Sequence, residues 1–230
     1  SEDSHVEKAL GLMDDENNFV VFVIDPIAVA SAMEILQTDR EEMGPVVKSL
    51  INALRASNVD KVIDFTHFYH LSLAAQGKIV CENKEMTFTS WCPSAHEYIE
   101  KFHPEFKRYI HRETSPENLM LETLGNRYGS EDLKIILVSP CIVHKGNPQI
   151  DAVLTARELR RFLEFSEINL DFFEPEGEFD CELGMSSVFI KGACSDYTYS
   201  LPILEAAYMG KFNNLDARLA ITTIGDYAHE

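Results

Sequence analysis

The chain has 230 residues, and its hydrophobic content of 45% suits a globular protein with a sizeable core. It carries 38 acidic and 20 basic residues, and the formal net charge of -18 argues against nucleic acid or an anionic membrane surface as its main partner. Every apolar run is far shorter than the ~20 residues that a membrane helix requires, so no membrane span is predicted.

Strand patterns alternate with helix patterns along the chain. Strands are indicated by continuous β-branched or aromatic runs, and helices by apolar residues at helical spacing. In chain order the predicted elements are helix 5–13, strand 19–24, helix 46–54, strand 61–65, helix 66–76, strand 87–90, helix 95–102, helix 116–128, strand 134–139, strand 150–154, helix 156–165, helix 201–208 and strand 218–224. This alternation predicts an α/β fold, with a largely parallel sheet flanked by helices in a single domain over 1–230.

Several helix ends carry recognisable signals. Ser94 with Glu97, and Thr155 with Glu158, have the spacing of a capping box, and Ser115 precedes a proline at the first helical position. The predicted helix stops are glycines, Gly77 and Gly129. Residues 166–185 are acidic and irregular, and the run Glu174–Glu178 predicts a solvated loop, with docking of a basic partner as the alternative.

The five cysteines are an odd, dispersed set without a Cys-x-x-Cys motif. This pattern argues against a disulfide framework, a zinc ribbon and a ferredoxin-type cluster loop. The amino terminus lacks the basic region and apolar core of a secretory signal, so we expect a cytoplasmic protein, with a removed targeting segment left open.

Two cysteines lie at positions suited to a ligand. Cys92 follows a short β-like run at a predicted helix start, where amide groups and the helix dipole favour a thiolate. Cys141 follows the strand over 134–139 in the same manner, and open α/β sheets bind their ligands at the carboxyl ends of strands. The alternative is that both are buried thiols that act as small hydrophobes. His67 and His70 share a helix face, where ordinary packing among aromatic neighbours is favoured over metal binding.

Motifs in a fixed order resemble the catalytic domain of iron-only (FeFe) hydrogenases. The similarity begins near the amino terminus and continues to about Tyr208. The main matching stretches are Thr89-Ser-Trp-Cys-Pro93, Thr114-Ser-Pro-Glu-Asn-Leu-Met120, Val138-Ser-Pro-Cys141 and Asp151-Ala-Val-Leu-Thr-Ala-Arg-Glu-Leu159. The resemblance implies an FeFe-hydrogenase-like scaffold.

The resemblance also implies a cofactor site that this sequence fills only in part. In the family, four cysteines hold a cubane iron–sulfur cluster, and one of them bridges to a di-iron subcluster. Cys92 and Cys141 match two of these cofactor-binding positions, whereas the carboxyl-terminal Cys-x-x-x-Cys motif does not occur in the sequence. We therefore expect no cofactor. The alternative is a non-standard iron–sulfur cluster held through Cys92 and Cys141, with Cys81 and Cys194 as the nearest further ligands.

Five further positions depart from the family pattern and mark a vacated site. Trp91 stands where the family has a proton-donating cysteine, and Ala74 and Ala75 fall where glutamates of the proton path are expected. Ser139 replaces a methionine and His144 a lysine.

The predicted function is that of a catalytically inactive FeFe-hydrogenase-like protein. We expect it to be a binding or structural subunit of a redox assembly, with a protein partner. One alternative is an electron-transfer or sensory protein that holds the non-standard cluster, and another is a split enzyme whose missing ligands come from a second chain. Trp91 and the two alanines argue against the split enzyme, because a second chain would not restore the proton path.

Overall fold

A four-stranded parallel sheet lies at the centre of the computed structural model, which describes residues 4–36, 38, 42–82, 88, 92–129 and 131–180. Its strands are β1 (Phe19–Ile24), β2 (Lys61–Asp64), β3 (Leu133–Val138) and β4 (Ala152–Leu154). They stand in the order β2-β1-β3-β4, and Ile24 is level with both Asp64 and Val138. The predicted α/β fold with a parallel sheet is confirmed.

Helices cover both faces of the sheet. They are α1 (Val6–Asp14), α2 (Pro26–Ala32), α3 (Met43–Arg55), α4 (Thr66–Glu82), α5 (Pro93–Phe102), α6 (Pro116–Tyr128) and α7 (Ala156–Phe165). Short 3-10 turns span 104–109, 112–114, 142–146 and 170–172.

The side chains of β1 alternate between two apolar clusters. Phe22 and Ile24 pack in a cluster with α1, α2, α3 and α7, whereas Val21 and Val23 pack in the opposite cluster with α4 and α6. Both faces of the sheet are therefore buried, which explains why its strands are continuous apolar runs.

Two of the three predicted helix starts are confirmed. The Ser115 hydroxyl accepts from the Asn118 amide at the start of α6, and Thr155 and Glu158 form a complete capping box at α7. The box predicted at Ser94 and Glu97 is wrong, because α5 already begins at Pro93 with Cys92 as its N-cap residue and without a side-chain cap. A proline suits the first helical position, so the helix starts one residue earlier than the box requires.

One of the two predicted glycine stops differs from the structure. α4 does not end at Gly77 but continues to Glu82, because an interior glycine costs a helix only about 1 kcal/mol and α4 packs against α6. Gly129 does end α6, with a positive φ of 82°. α2 is not among the predicted elements. The Asp25 side chain accepts from the Ile27 amide and caps this helix, which has proline in its first turn.

The acidic segment after α7 is held against the domain rather than solvated along its whole length. The Ser49 hydroxyl and the Asn52 amide group of α3 donate to the carbonyls of Phe173 and Glu174 at 2.8 and 2.7 Å. Glu174, Glu176 and Glu178 nevertheless point outward and are exposed. The backbone at Phe173 and Glu174 is therefore bonded to α3, while the three carboxylates face water.

Several predicted elements lie outside the described residues. They are the strand over 87–90 apart from Phe88, the helix over 201–208 and the strand over 218–224. Phe88 forms an isolated bridge with Ile110.

Candidate functional site

The sheet has a topological switch point between β1 and β3. The connection after β1 leads to β2 on one side, and the connection after β3 leads to β4 on the other side. The two connections therefore leave the carboxyl ends of these neighbouring strands in opposite directions. Open α/β sheets bind ligands in the crevice that this arrangement creates. Asp25 directly follows β1 and Cys141 follows β3, and the Asp25 amide donates to the Val138 carbonyl at 2.9 Å.

Cys141 lies at this edge as predicted. It is half-buried and stands just before the 3-10 turn over 142–146, and its amide donates to the hydroxyl of buried Ser139 at 3.2 Å. Ser139, where the family pattern has a methionine, therefore orients the backbone of the candidate ligand.

Cys92 is exposed at the amino end of α5, and α5 contacts the turn that Cys141 begins. The structure thus brings together the two elements that start at the candidate cysteines. Both thiols are free.

A cubane cluster does not fit the part of the chain that the structure describes. The protein supplies a thiolate to each corner iron of a cubane in the usual arrangement. Cys92 and Cys141 are the free cysteines among the described residues, and no three histidine, cysteine, aspartate or glutamate side chains within those ranges are placed to hold a metal ion. Cys181 and Cys194 lie outside the described residues, and the side chain of Cys81 is not described.

His144, three residues after Cys141, makes a buried hydrogen bond with a carboxylate. Its Nδ1 lies 2.8 Å from Oε2 of Glu117 on α6, and Asn147 donates a short hydrogen bond to the other oxygen. Both members of the pair are buried. Burial acts to raise the pKa of Glu117, but the hydrogen bonds from His144 and Asn147 outweigh burial, and the pKa lies below its usual range.

A cleft of about 230 Å³ opens between α5, the start of α6 and the turn over 142–146. Its lining is polar and includes His96, Arg112, Glu117 and Asn147. Arg112 forms a salt bridge with Glu100 at 2.9 Å. The Glu117 carboxylate is bound by His144 and Asn147.

Lys145, one place after His144, is directed elsewhere. Its Nζ donates to Oε1 of Glu158 at 2.8 Å, and the backbone amides of His5 and Thr155 donate to the same carboxylate. Burial opposes ionisation of Glu158, but these donors prevail and lower its pKa to about 2. Lys145 therefore ties the turn to α7 and the amino-terminal segment.

The other predicted site residues are dispersed. Ala75 is half-buried within α4, and Ala74 belongs to the same helix, although its side chain is not described. His67 is half-buried against the Phe68 ring at 5.2 Å between centroids, and burial followed by the charge of Arg127 lowers its pKa, as ordinary packing predicts. Trp91 and the side chain of His70 lie outside what the structure describes.

Three acidic residues were missed as site residues. Asp25 and Asp64 are 1% and 2% exposed at the ends of β1 and β2, and Glu117 is 7% exposed. The available signal was an aspartate that directly ends a buried strand, whereas the partner of Glu117 is 27 residues away and carries no local signal.

Residues 18–216 of the chain match the family model of the iron only hydrogenase large subunit, C-terminal domain. The chain belongs to this hydrogenase family. Its similarity to the NADP-reducing hydrogenase subunit HndD of Solidesulfovibrio fructosivorans is 24% identity over 84% of the chain and 39% of the relative. Its similarity to the periplasmic Fe hydrogenase large subunit of Nitratidesulfovibrio vulgaris is 30% identity over 52% of the chain and 31% of the relative.

Solved FeFe-hydrogenase structures share the fold. The structure of HydA(deltaEFG), which was described for stepwise assembly of the H-cluster, superimposes on this chain with a TM-score of 0.64 at 25% identity. The match covers 79% of this chain and 51% of that one. A variant of HydA1 from Chlamydomonas reinhardtii gives a TM-score of 0.64 at 24% identity, over 79% of this chain and 52% of that one. The hydrogenase-family chain spans about a third of the curated relatives and half of the solved chains. No helix in the described ranges is long and apolar enough to cross a membrane.

Proposed function

We propose that this hydrogenase-family domain does not catalyse hydrogen chemistry and acts as a binding or structural subunit of a redox assembly. The observation that carries the proposal is the buried contact between His144 and Glu117. In the family pattern a lysine stands three residues after the ligand cysteine. Here that position holds an imidazole which is committed to a carboxylate.

Lys145 does not replace the missing lysine. Its ammonium group binds Glu158, a carboxylate that also accepts two backbone amides. A shift of this side chain toward Cys141 would break that contact and leave a nearly buried carboxylate short of a donor. Lys145 is therefore committed to Glu158 and does not supply the cationic group of the family pattern next to Cys141.

The sequence of the proton path supports the same proposal. A proton relay needs a titratable group within hydrogen-bond reach at each step. Trp91 does not titrate at neutral pH, and Ala74 and Ala75 have no polar group. These positions lie on different parts of the chain, so their loss is independent of the change at His144.

A role as a subunit is supported by the relatives. Two of them are named as hydrogenase subunits, one NADP-reducing and one periplasmic. We propose that the partner is a protein of such an assembly. The free thiols of Cys92 and Cys141 favour a reducing compartment such as the cytoplasm.

A hydrogen-evolution assay of anaerobically purified protein, together with metal analysis, tests the proposal. The protein is isolated with its native partners, supplied with the di-iron cofactor, and assayed for iron, sulfide and hydrogen evolution beside an active FeFe hydrogenase treated identically. We expect no hydrogen evolution above the background of the assay. Hydrogen evolution by this chain would overturn the proposal and favour the split enzyme.

A second candidate function is electron transfer or sensing through a non-standard iron–sulfur cluster at Cys92 and Cys141. The contact between α5 and the turn over 142–146 favours it, because both elements begin at these cysteines. Cys92→Ser and Cys141→Ser would then each abolish the visible absorption of the purified protein, whereas Cys181→Ser would not. Equal absorption in all three variants would exclude this candidate.

A further inference from the structure

Asp25 is a buried carboxylate at the switch point that neither proposed function uses. It is 1% exposed, and its Oδ1 accepts from the Ile27 amide at 2.9 Å as the cap of α2. Its Oδ2 lies 3.3 Å from the hydroxyl of Tyr69 on α4. Asp25 therefore connects helices on opposite faces of the sheet through one side chain.

Asp64 is a second buried carboxylate at the same edge. It ends β2, is 2% exposed, and its Oδ1 accepts from the Thr66 amide at 2.8 Å. Its Oδ2 is buried without a hydrogen-bond partner. If the Asp64 carboxylate ionises, this buried oxygen has neither water nor a protein donor to stabilise its charge. The site therefore disfavours negative charge.

The charged and titratable groups that face Asp25 come from three elements. Asp64 of β2 opposes its ionisation, while the Tyr69 hydroxyl of α4 and His144 of the turn over 142–146 favour ionisation. His144 is itself bound to Glu117 at 2.8 Å. The environment of Asp25 therefore contains one repelling carboxylate and no cation dedicated to it among the described residues.

We propose that Asp25, with Tyr69 and Asp64 around it, is a buried proton-binding site that makes the carboxyl edge of the sheet sensitive to pH. Burial, reinforced by the charge of Asp64, raises the pKa of Asp25 from 3.8 to about 6, although Ile27 and Tyr69 act against this rise. The folded protein thus binds a proton at Asp25 at pH values at which the unfolded chain has released it.

The sign of the pH effect follows from linkage. Between about pH 4 and about pH 6 the folded state holds one more proton than the unfolded state, so stability decreases as the pH rises through this window. The unfolding equilibrium constant changes by up to about tenfold per pH unit for this one proton. Above about pH 6 the contribution of Asp25 is constant.

The test measures unfolding of the 230-residue chain by urea across this window for wild type and Asp25→Asn. Asparagine keeps the cap of α2 but cannot titrate. The ratio of the wild-type and variant unfolding constants should rise by up to about tenfold per pH unit between about pH 4 and about pH 6, and then become level. A ratio that does not change with pH would overturn the proposal.

Two further variants separate titration from a structural effect. Asp64→Asn removes the repelling charge and should lower the pH at which the ratio of unfolding constants stops rising. Tyr69→Phe removes a hydrogen bond to the Asp25 carboxylate and should raise that pH. If Asp25→Asn does not fold, carbon-13 NMR of aspartate-labelled wild type decides. An Asp25 carboxyl signal, assigned through its backbone resonances, that titrates near pH 6 supports the site, and titration of Asp25 below about pH 4.5 contradicts it.

Discussion

Nδ1 of His144 lies 2.8 Å from Oε2 of Glu117, and this contact joins the turn after β3 to the first turn of α6. Both residues are 7% exposed, and Asn147 binds the second carboxylate oxygen. The His144 ring and the Asn147 amide group thus both bind the Glu117 carboxylate, at the edge of the cleft between α5, α6 and the turn over 142–146.

Glu117→Gln should destabilise the domain by about 1–3 kcal/mol, because the variant leaves buried donors poorly matched. The measurement is urea unfolding at neutral pH. Glu122→Gln, at an exposed position of the same helix, is the matched control and should change stability by less than about 0.5 kcal/mol. Equal effects of the two variants would contradict the assigned role of Glu117.

Glu158 should contribute stability that depends on pH with the opposite sign to Asp25. Its pKa is lowered from 4.5 to about 2, so its contribution is complete above about pH 4.5 and is lost as the pH falls toward about 2. Glu158→Gln should cost about 1–3 kcal/mol at neutral pH and progressively less in acid. Glu164→Gln, which removes only an exposed contact with Arg160 of the same helix, should be nearly neutral at every pH.

Gly177 of the acidic segment packs directly against α3. A Cβ atom there would lie 2.3 Å from the Lys48 carbonyl oxygen and 2.9 Å from Cβ of Ile51. Gly177→Ala should therefore destabilise by about 1–3 kcal/mol through steric overlap. Gly125→Ala in α6 meets no atom within 4 Å and should stabilise by up to about 1 kcal/mol through helix propensity. Thermal unfolding shifts of the same sign in both variants would contradict this packing.

Ser115→Ala and Ser94→Ala compare a helix cap that forms with a predicted one that does not. Loss of the Ser115 hydroxyl removes its bond to the Asn118 amide and should cost about 1 kcal/mol. Ser94 is exposed inside α5 and does not cap it, so its replacement should be neutral within about 0.5 kcal/mol. A cost at Ser94 as large as at Ser115 would show that α5 begins later than Pro93.

Local patterns were sufficient for most of the fold. The strand Phe19–Ile24 was predicted with its exact ends, because a strand buried on both faces needs a continuous apolar run. The cap at Ser115 and the box at Thr155 were predicted because their donors lie within four residues. Gly77 was misjudged because packing of α4 against α6 outweighs the weak propensity of one residue.

The site was less accessible to prediction because its contacts join distant parts of the chain. The sequence indicated that Cys141 lies at the end of a strand and that His144 departs from the family pattern. It did not indicate that His144 would bind Glu117, 27 residues earlier, or that Lys145 would bind Glu158. Burial of Asp25 and Asp64 depends on the strand order, which alternation alone leaves undetermined.

Hydrogen evolution tests the central claim most directly. The chain is purified anaerobically with its native partners, supplied with the di-iron cofactor and a low-potential electron donor, and compared with an active FeFe hydrogenase prepared in the same way. The proposed function predicts no hydrogen above the level of the assay without protein. Sustained hydrogen evolution that depends on this chain and disappears in Cys141→Ser would contradict it.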